Sequence, residues 1–244
     1  MRTLKLTLAY DGTDFVGWQR QPNGVSVQQL VEEACAPLVN AFPAVVGAGR
    51  TDAGVHALGQ VASVNLETEL PALTVQRAIN ARLPAAIRVV DAVDAPSGFH
   101  ARFHAAGKHY RYRIATAAVL SPFDRWFVWH APEPRDVEAM RRAARVLVGR
   151  HDFASFQAAG AGVTDTVRTI HKLDVRELDA ELSIDLVGDG FLRHMVRAIV
   201  GTLAEVGNGV RTPESLAGVL AARDRNAAGL TAPACGLTLM EVHY

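Results

Sequence analysis

The order in which apolar periodicity changes along the chain is what most restricts its fold. Residues 3–10 set Leu4, Leu6, Leu8 and Tyr10 on one face and Thr3, Lys5 and Thr7 on the other, the two-residue repeat of a half-buried strand. Ser26, with Gln29 three residues on, is a capping box that opens a helix running to about Ala41. Residues 45–48 and 58–66 read as strands around a Gly-rich turn, Thr74 caps a short helix to about Leu83, and residues 87–93 read as a strand. The order then recurs. Residues 109–115 alternate His109, Arg111 and Arg113 against Tyr110, Tyr112 and Ile114. Pro134 is placed at the first turn of a helix to Val148, with Gly149 just past its end. Strands follow at 167–175 and 181–187, then a helix over Phe191–Val206, a helix opened by Thr212-Pro213-Glu214, and a strand over Leu237–Tyr244.

Two successive β-α-β-β-α-β runs imply an α+β protein of two tandem ferredoxin-like units with mainly antiparallel sheets, here divided as 1–105 and 106–244. Helices on one face of each sheet would leave the other face for a flat or elongated partner. The composition is that of a folded chain, with 49% apolar and 20% charged residues, so bulk disorder is excluded. No apolar run reaches the ~20 residues of a membrane-spanning helix. The alternating N-terminal residues lack the continuous apolar stretch of a signal peptide, so a cytoplasmic location is expected. Two cysteines, Cys35 and Cys235, cannot form a four-thiolate metal site.

Net charge is zero, yet its distribution is uneven. No acidic residue lies between Asp94 and Asp124, an interval that holds Arg102, Lys108, Arg111 and Arg113 with His100, His104 and His109. Arginine accounts for all basic residues but Lys5, Lys108 and Lys172. Guanidinium forks suit phosphates and base faces, although a GC-rich genome yields the same bias. The three histidines lack the helical context and the neighbouring Cys or carboxylate of a recognisable metal set, so no metal site is expected. No nucleotide-binding glycine loop is present.

Three segments carry chemistry. In Gly47-Ala-Gly-Arg-Thr-Asp-Ala-Gly-Val-His56, Arg50 and Asp52 share a face if the backbone is extended. Arg50 would then keep Asp52 ionised as a carboxylate nucleophile, or the two would form an ordinary structural ion pair. Tyr110 and Tyr112, interleaved with Arg111 and Arg113, suit base stacking beside phosphate contacts, or else core packing. The loop Tyr10–Gln21 mixes aromatic, acidic, basic and amide groups: Phe15 and Trp18 would anchor it while Gln19, Arg20 and Gln21 point outward. Arg193 and Arg197, four apart, would share a helical face.

Together these segments resemble the tRNA pseudouridine synthase A family, TruA. The match runs in order through Tyr10-Asp-Gly-Thr-Asp-Phe-Val-Gly-Trp-Gln-Arg-Gln21, Gly49-Arg-Thr-Asp-Ala-Gly-Val-His56, Phe99-His-Ala-Arg-Phe103 with Lys108-His-Tyr-Arg-Tyr112, and His151-Asp-Phe-Ala-Ser-Phe156. It continues through Gly190-Phe-Leu-Arg-His-Met-Val-Arg197 and Gly236-Leu-Thr-Leu239, so it spans about Leu4 to Tyr244. The resemblance implies the pseudouridine synthase fold and isomerisation of uridines 38, 39 and 40 in the anticodon arm of tRNA. It also implies a homodimer and no cofactor. It assigns Asp52 as nucleophile, Tyr110 against the target base and Arg50 beside the aspartate. Arg20, Arg102, Arg111, Arg113, Arg193 and Arg197 are then candidates for tRNA contacts. A non-catalytic RNA-binding module and a metal-dependent hydrolase are the competing readings.

Overall fold

The structure, a computed structural model, describes residues 2–39, 42–133, 135–158, 160 and 163–244. It has an α+β fold whose strands pair mostly antiparallel, in two compact units: residues 1–106 with 238–244, and residues 107–237. The final strand thus belongs to the first unit, whereas a division at 105/106 places it in the second. Its pairing explains this: Thr238 and Leu239 lie beside His56 and Ala57 in a parallel ladder.

Unit 1 follows β1 (Arg2–Tyr10), α1 (Val27–Cys35), β2 (Val45–Gly47), β3 (His56–Leu66), α2 (Ala72–Asn80) and β4 (Ile87–Asp94). β1 lies between β4 and β3, and β2 pairs with the far end of β3. The predicted alternation of β1 is realised, with Leu4, Leu6 and Leu8 fully buried. Ser26 caps α1 as expected, accepting a 3.3 Å hydrogen bond from the Gln29 N–H. The expected helix end near Ala41 lies outside the described residues. Thr74 is inside α2 rather than at its cap, because the helix starts earlier, behind Pro71.

The second face of this sheet is not free. The turn over residues 99–104 closes on it: the Ala101 N–H donates to Ser63 Oγ at 3.2 Å, and the Tyr244 hydroxyl donates to the Ala101 carbonyl at 2.8 Å. Val61 and Ser63, which point away from Leu4 and Leu6, are therefore buried.

Unit 2 follows β5 (Gly107–Ala115), β6 (Trp129–His130), α3 (Val137–Leu147), β7 (Gly149–Asp152), β8 (Val167–Leu178), β9 (Glu181–Gly188), α4 (Met195–Gly207) and α5 (Ser215–Ala222). The remaining strand of the chain, β10 (Leu237–His243), supplies the parallel partner of β3 described above. The sheet order in unit 2 is β5-β9-β8-β7, with β6 parallel beside β5. β6 and β7 are additions to the expected pattern, too short to show a periodicity. Pro134 lies outside the described residues, and Asp136 caps α3 by accepting a 2.8 Å hydrogen bond from the Ala139 N–H. Ile184, Leu186, Met140, Ile199 and Leu203 form a fully buried core. No helix among the described residues is long and apolar enough to cross a membrane.

Candidate active site

Asp52 opens a tight turn over Ala53-Gly54: the Val55 N–H donates back to the Asp52 carbonyl at 3.1 Å. Its carboxylate is half-buried, whereas Thr51 and Val55 on either side are buried. The turn is fixed by the loop that follows β1. The Trp18 N–H donates to the Thr51 carbonyl at 3.1 Å, and the Tyr10 hydroxyl pairs with Thr51 Oγ1 at 2.8 Å. Two glycines permit this approach. A Cβ on Gly17 would lie 2.5 Å from the Thr51 carbonyl oxygen, and Gly17 also has φ +104°, a region that favours glycine. A Cβ on Gly12 would lie 2.0 Å from the Val55 carbonyl oxygen. The side wall is closed by His56, whose Nδ1 accepts the Gly12 N–H at 3.0 Å. That lone pair is thereby used, and Asp11, 3.2 Å from the same nitrogen, instead accepts from the Thr13 N–H and hydroxyl.

Burial pushes the Tyr10 hydroxyl up to about 12, against the smaller opposing effect of its hydrogen bonds with Thr51 and Gln60. Tyr10 therefore stays protonated at neutral pH and acts as a strut. Trp18 is buried and 6.2 Å from the Tyr10 ring, so the aromatic residue anchors the loop as expected. Arg50 is exposed rather than packed into the site. Thr51, Gly17 and Gly12 are thus the positioning residues that sequence reasoning missed. The density of small and polar residues in Tyr10–Gln21 was their only trace.

In unit 2 the two tyrosines of β5 part ways. Tyr112 is fully buried and donates to the Pro233 carbonyl at 2.8 Å, which is core packing. Tyr110, also buried, meets Phe191 edge-on with ring centroids 5.2 Å apart. On the other face, Arg111 and Arg113 have carboxylate partners from β9. Arg113 grips Glu181 with two hydrogen bonds of 2.8 and 2.6 Å. Asp185, almost wholly buried, receives Arg111 at 2.9 Å, His109 at 2.6 Å, and Arg176. Burial pushes the Asp185 carboxyl up, but hydrogen bonds from Arg176, His109 and Arg111 outweigh it and hold the pKa below its ordinary value. The acid-free stretch of sequence is therefore not acid-free in space.

The other arginines differ among themselves. Arg20 pairs with Glu32 at 3.1 Å and faces the Phe42 ring. Gln21 is exposed and donates to the Val16 carbonyl at 2.7 Å. Arg102 is exposed above Phe103. Arg193 and Arg197 do not share a helical face, because α4 begins only at Met195, after His194 at φ +62°. Arg193 is exposed, whereas Arg197 donates to the Ala232 carbonyl at 2.7 Å.

The site so defined is a half-buried aspartate on a turn held by backbone contacts, in a two-unit α+β protein. The family model described as tRNA pseudouridine synthase matches residues 7–104 and 143–244. The chain is 50% identical over 244 residues to tRNA pseudouridine synthase A of Syntrophotalea carbinolica, covering 100% of this chain and 97% of that one. It is 46% identical to the protein of the same name from Geotalea uraniireducens, covering 100% of both. A chain of a Cbf5-Nop10-Gar1 complex is a looser structural match, with 12% identity, a TM-score of 0.40, and coverage of 97% of this chain and 49% of that one. The chain belongs to the tRNA pseudouridine synthase family, whose enzymes are isomerases of tRNA uridine.

Proposed function

We propose that this protein isomerises uridines 38, 39 and 40 in the anticodon arm of tRNA, with Asp52 as the nucleophile. The reading is carried by one observation: Gly12 and Gly17 bring backbone against the turn that bears Asp52, and Asp52 itself is only half-buried there. The reaction breaks the N1–C1′ bond of uridine and forms a C5–C1′ bond. The C5 proton is lost and N1 gains one, so atoms balance without a redox partner or a group donor, and no cofactor is required. The Asp52 carboxylate attacks C6 of the ring, attacks C1′ of the ribose, or abstracts a ribose proton to give a glycal.

The target base lies in a stacked stem and must be flipped out. Tyr110 is assigned to face that base and support it. Arg50, exposed two residues before Asp52, is assigned to hold Asp52 ionised and to occupy the space the flipped base leaves. The tRNA phosphates fall to the exposed arginines Arg102 and Arg193, with Arg20, Arg111, Arg113 and Arg197 engaged in internal contacts first. The protein works as a cytoplasmic homodimer in this reading.

The test is to map pseudouridine by carbodiimide adducts and primer extension on transcripts carrying a single uridine at 38, 39 or 40. Stops at those positions, dependent on the protein, are expected. No stops at any of them, with tight tRNA binding retained, would replace the enzyme with an RNA-binding module.

A further inference from the structure

The turn over residues 99–104 carries an aromatic stack that neither the core nor the Asp52 turn uses. Phe103 is 73% exposed. Burying such a ring would be favourable, yet this one is held outward by specific contacts. The His100 imidazole stacks on it with centroids 4.1 Å apart and planes 26° from parallel. The Arg102 guanidinium stands 5.8 Å from the centroid of the same ring. The imidazole cannot swing away, because its Nδ1 accepts the N–H groups of both Arg102 and Phe103 at 3.2 Å.

The base of the turn is equally fixed. The His104 Nδ1 accepts the His100 N–H at 3.1 Å, and Phe99 packs against both His104 and Tyr244. Lys5 stands 4.3 Å over the Tyr244 ring, and Ala101 is bolted to Ser63 and the Tyr244 hydroxyl. A ring that is open yet immobile has already lost the freedom that binding would otherwise have to remove. The exposed Phe123 of unit 2 has no comparable ring partner among the described residues.

We propose that Phe103, with His100 stacked on it and the exposed Arg102 over it, is a stacking platform for an unpaired nucleobase of the RNA substrate. The inference rests on the reading of this protein as acting on tRNA and adds a positioning contact outside the Asp52 turn. Chemistry favours RNA over a protein partner. A protein hot spot is a ring seated in a desolvated apolar pocket, whereas Phe103 is bordered by an imidazole and a guanidinium. A flat ring flanked by a cation is how unstacked bases and their phosphates are held together.

The test compares wild type, Phe103→Ala and Phe103→Trp, with circular dichroism confirming the fold of each. Phe103→Ala is expected to weaken tRNA binding by about tenfold. KM for tritium release from C5-labelled tRNA should rise accordingly while kcat stays near wild type. The slope of log affinity against log salt should not change, because stacking displaces no counterions. Phe103→Trp should restore affinity, and its added indole emission should be quenched by tRNA. Unchanged affinity in folded Phe103→Ala, or no quenching in Phe103→Trp, overturns the platform. So does an altered oligomeric state in Phe103→Ala with affinity preserved, which would assign the ring to a second copy of the chain. If wild type itself neither binds tRNA nor releases tritium, the functional reading fails first and independently of Phe103.

Discussion

Asp52 in unit 1 and Asp185 in unit 2 are both immobilised, by opposite physical means. Around Asp52 the constraint is backbone: two glycines admit close approach, and Thr51 is hydrogen-bonded from Tyr10 and Trp18. Around Asp185 the constraint is charge, with His109, Arg111 and Arg176 converging on one buried carboxylate. The second arrangement occupies the oxygens and leaves nothing to react. The first orients the turn through main-chain contacts and leaves the side chain half-buried rather than sealed.

The contrast is testable, beginning with its most severe consequence. Gly17→Ala forces a Cβ toward the Thr51 carbonyl and strains a left-handed backbone, at a cost of roughly 1–3 kcal/mol in a denaturant titration. It should also lower kcat for tritium release at least tenfold, because the Asp52 turn must move. An unchanged kcat would mean that packing does not set the turn.

Asp185→Asn should lower stability by about 2 kcal/mol, less than the loss of a fully buried ion pair, since Arg111 and Arg176 are partly solvated. Turnover at saturating tRNA should be unaffected. The pH dependence has a definite sign. Asp185 has a lowered folded pKa, so its contribution is fully present above the unfolded value and is lost as pH falls through the folded one. The stability gap between wild type and Asp185→Asn should therefore be flat from neutrality down to about pH 5, then close in more acid solution.

The smallest effect separates free from neutralised arginines. Arg193→Gln should reduce the salt slope of tRNA binding by about one. Arg113→Gln should leave it unchanged, because Glu181 already holds that guanidinium. Equal changes in both would erase the distinction.

Much of this was legible in residue order, and the failures have local causes. β1 and the Ser26 cap follow from short-range rules and appear where periodicity and capping chemistry put them. The basic stretch around Arg111 looked open because Asp185 and Glu181 come from another strand, 74 and 68 residues along the chain from their arginine partners. Arg193 lost its helical register to one left-handed residue, His194. The glycines at 12 and 17 were visible, but what each packs against is a property of tertiary contact that spacing does not encode.

The most direct test of the account is tritium release from C5-labelled tRNA by wild type and Asp52→Ala, with circular dichroism establishing that the variant folds. Because Gly12, Gly17, Thr51 and Trp18 pack against or bond the backbone of the turn, Asp52→Ala should keep its fold and its tRNA affinity. Release should be rapid for wild type and absent for the variant. Release by both proteins would remove Asp52 from the chemistry and contradict the account at its centre.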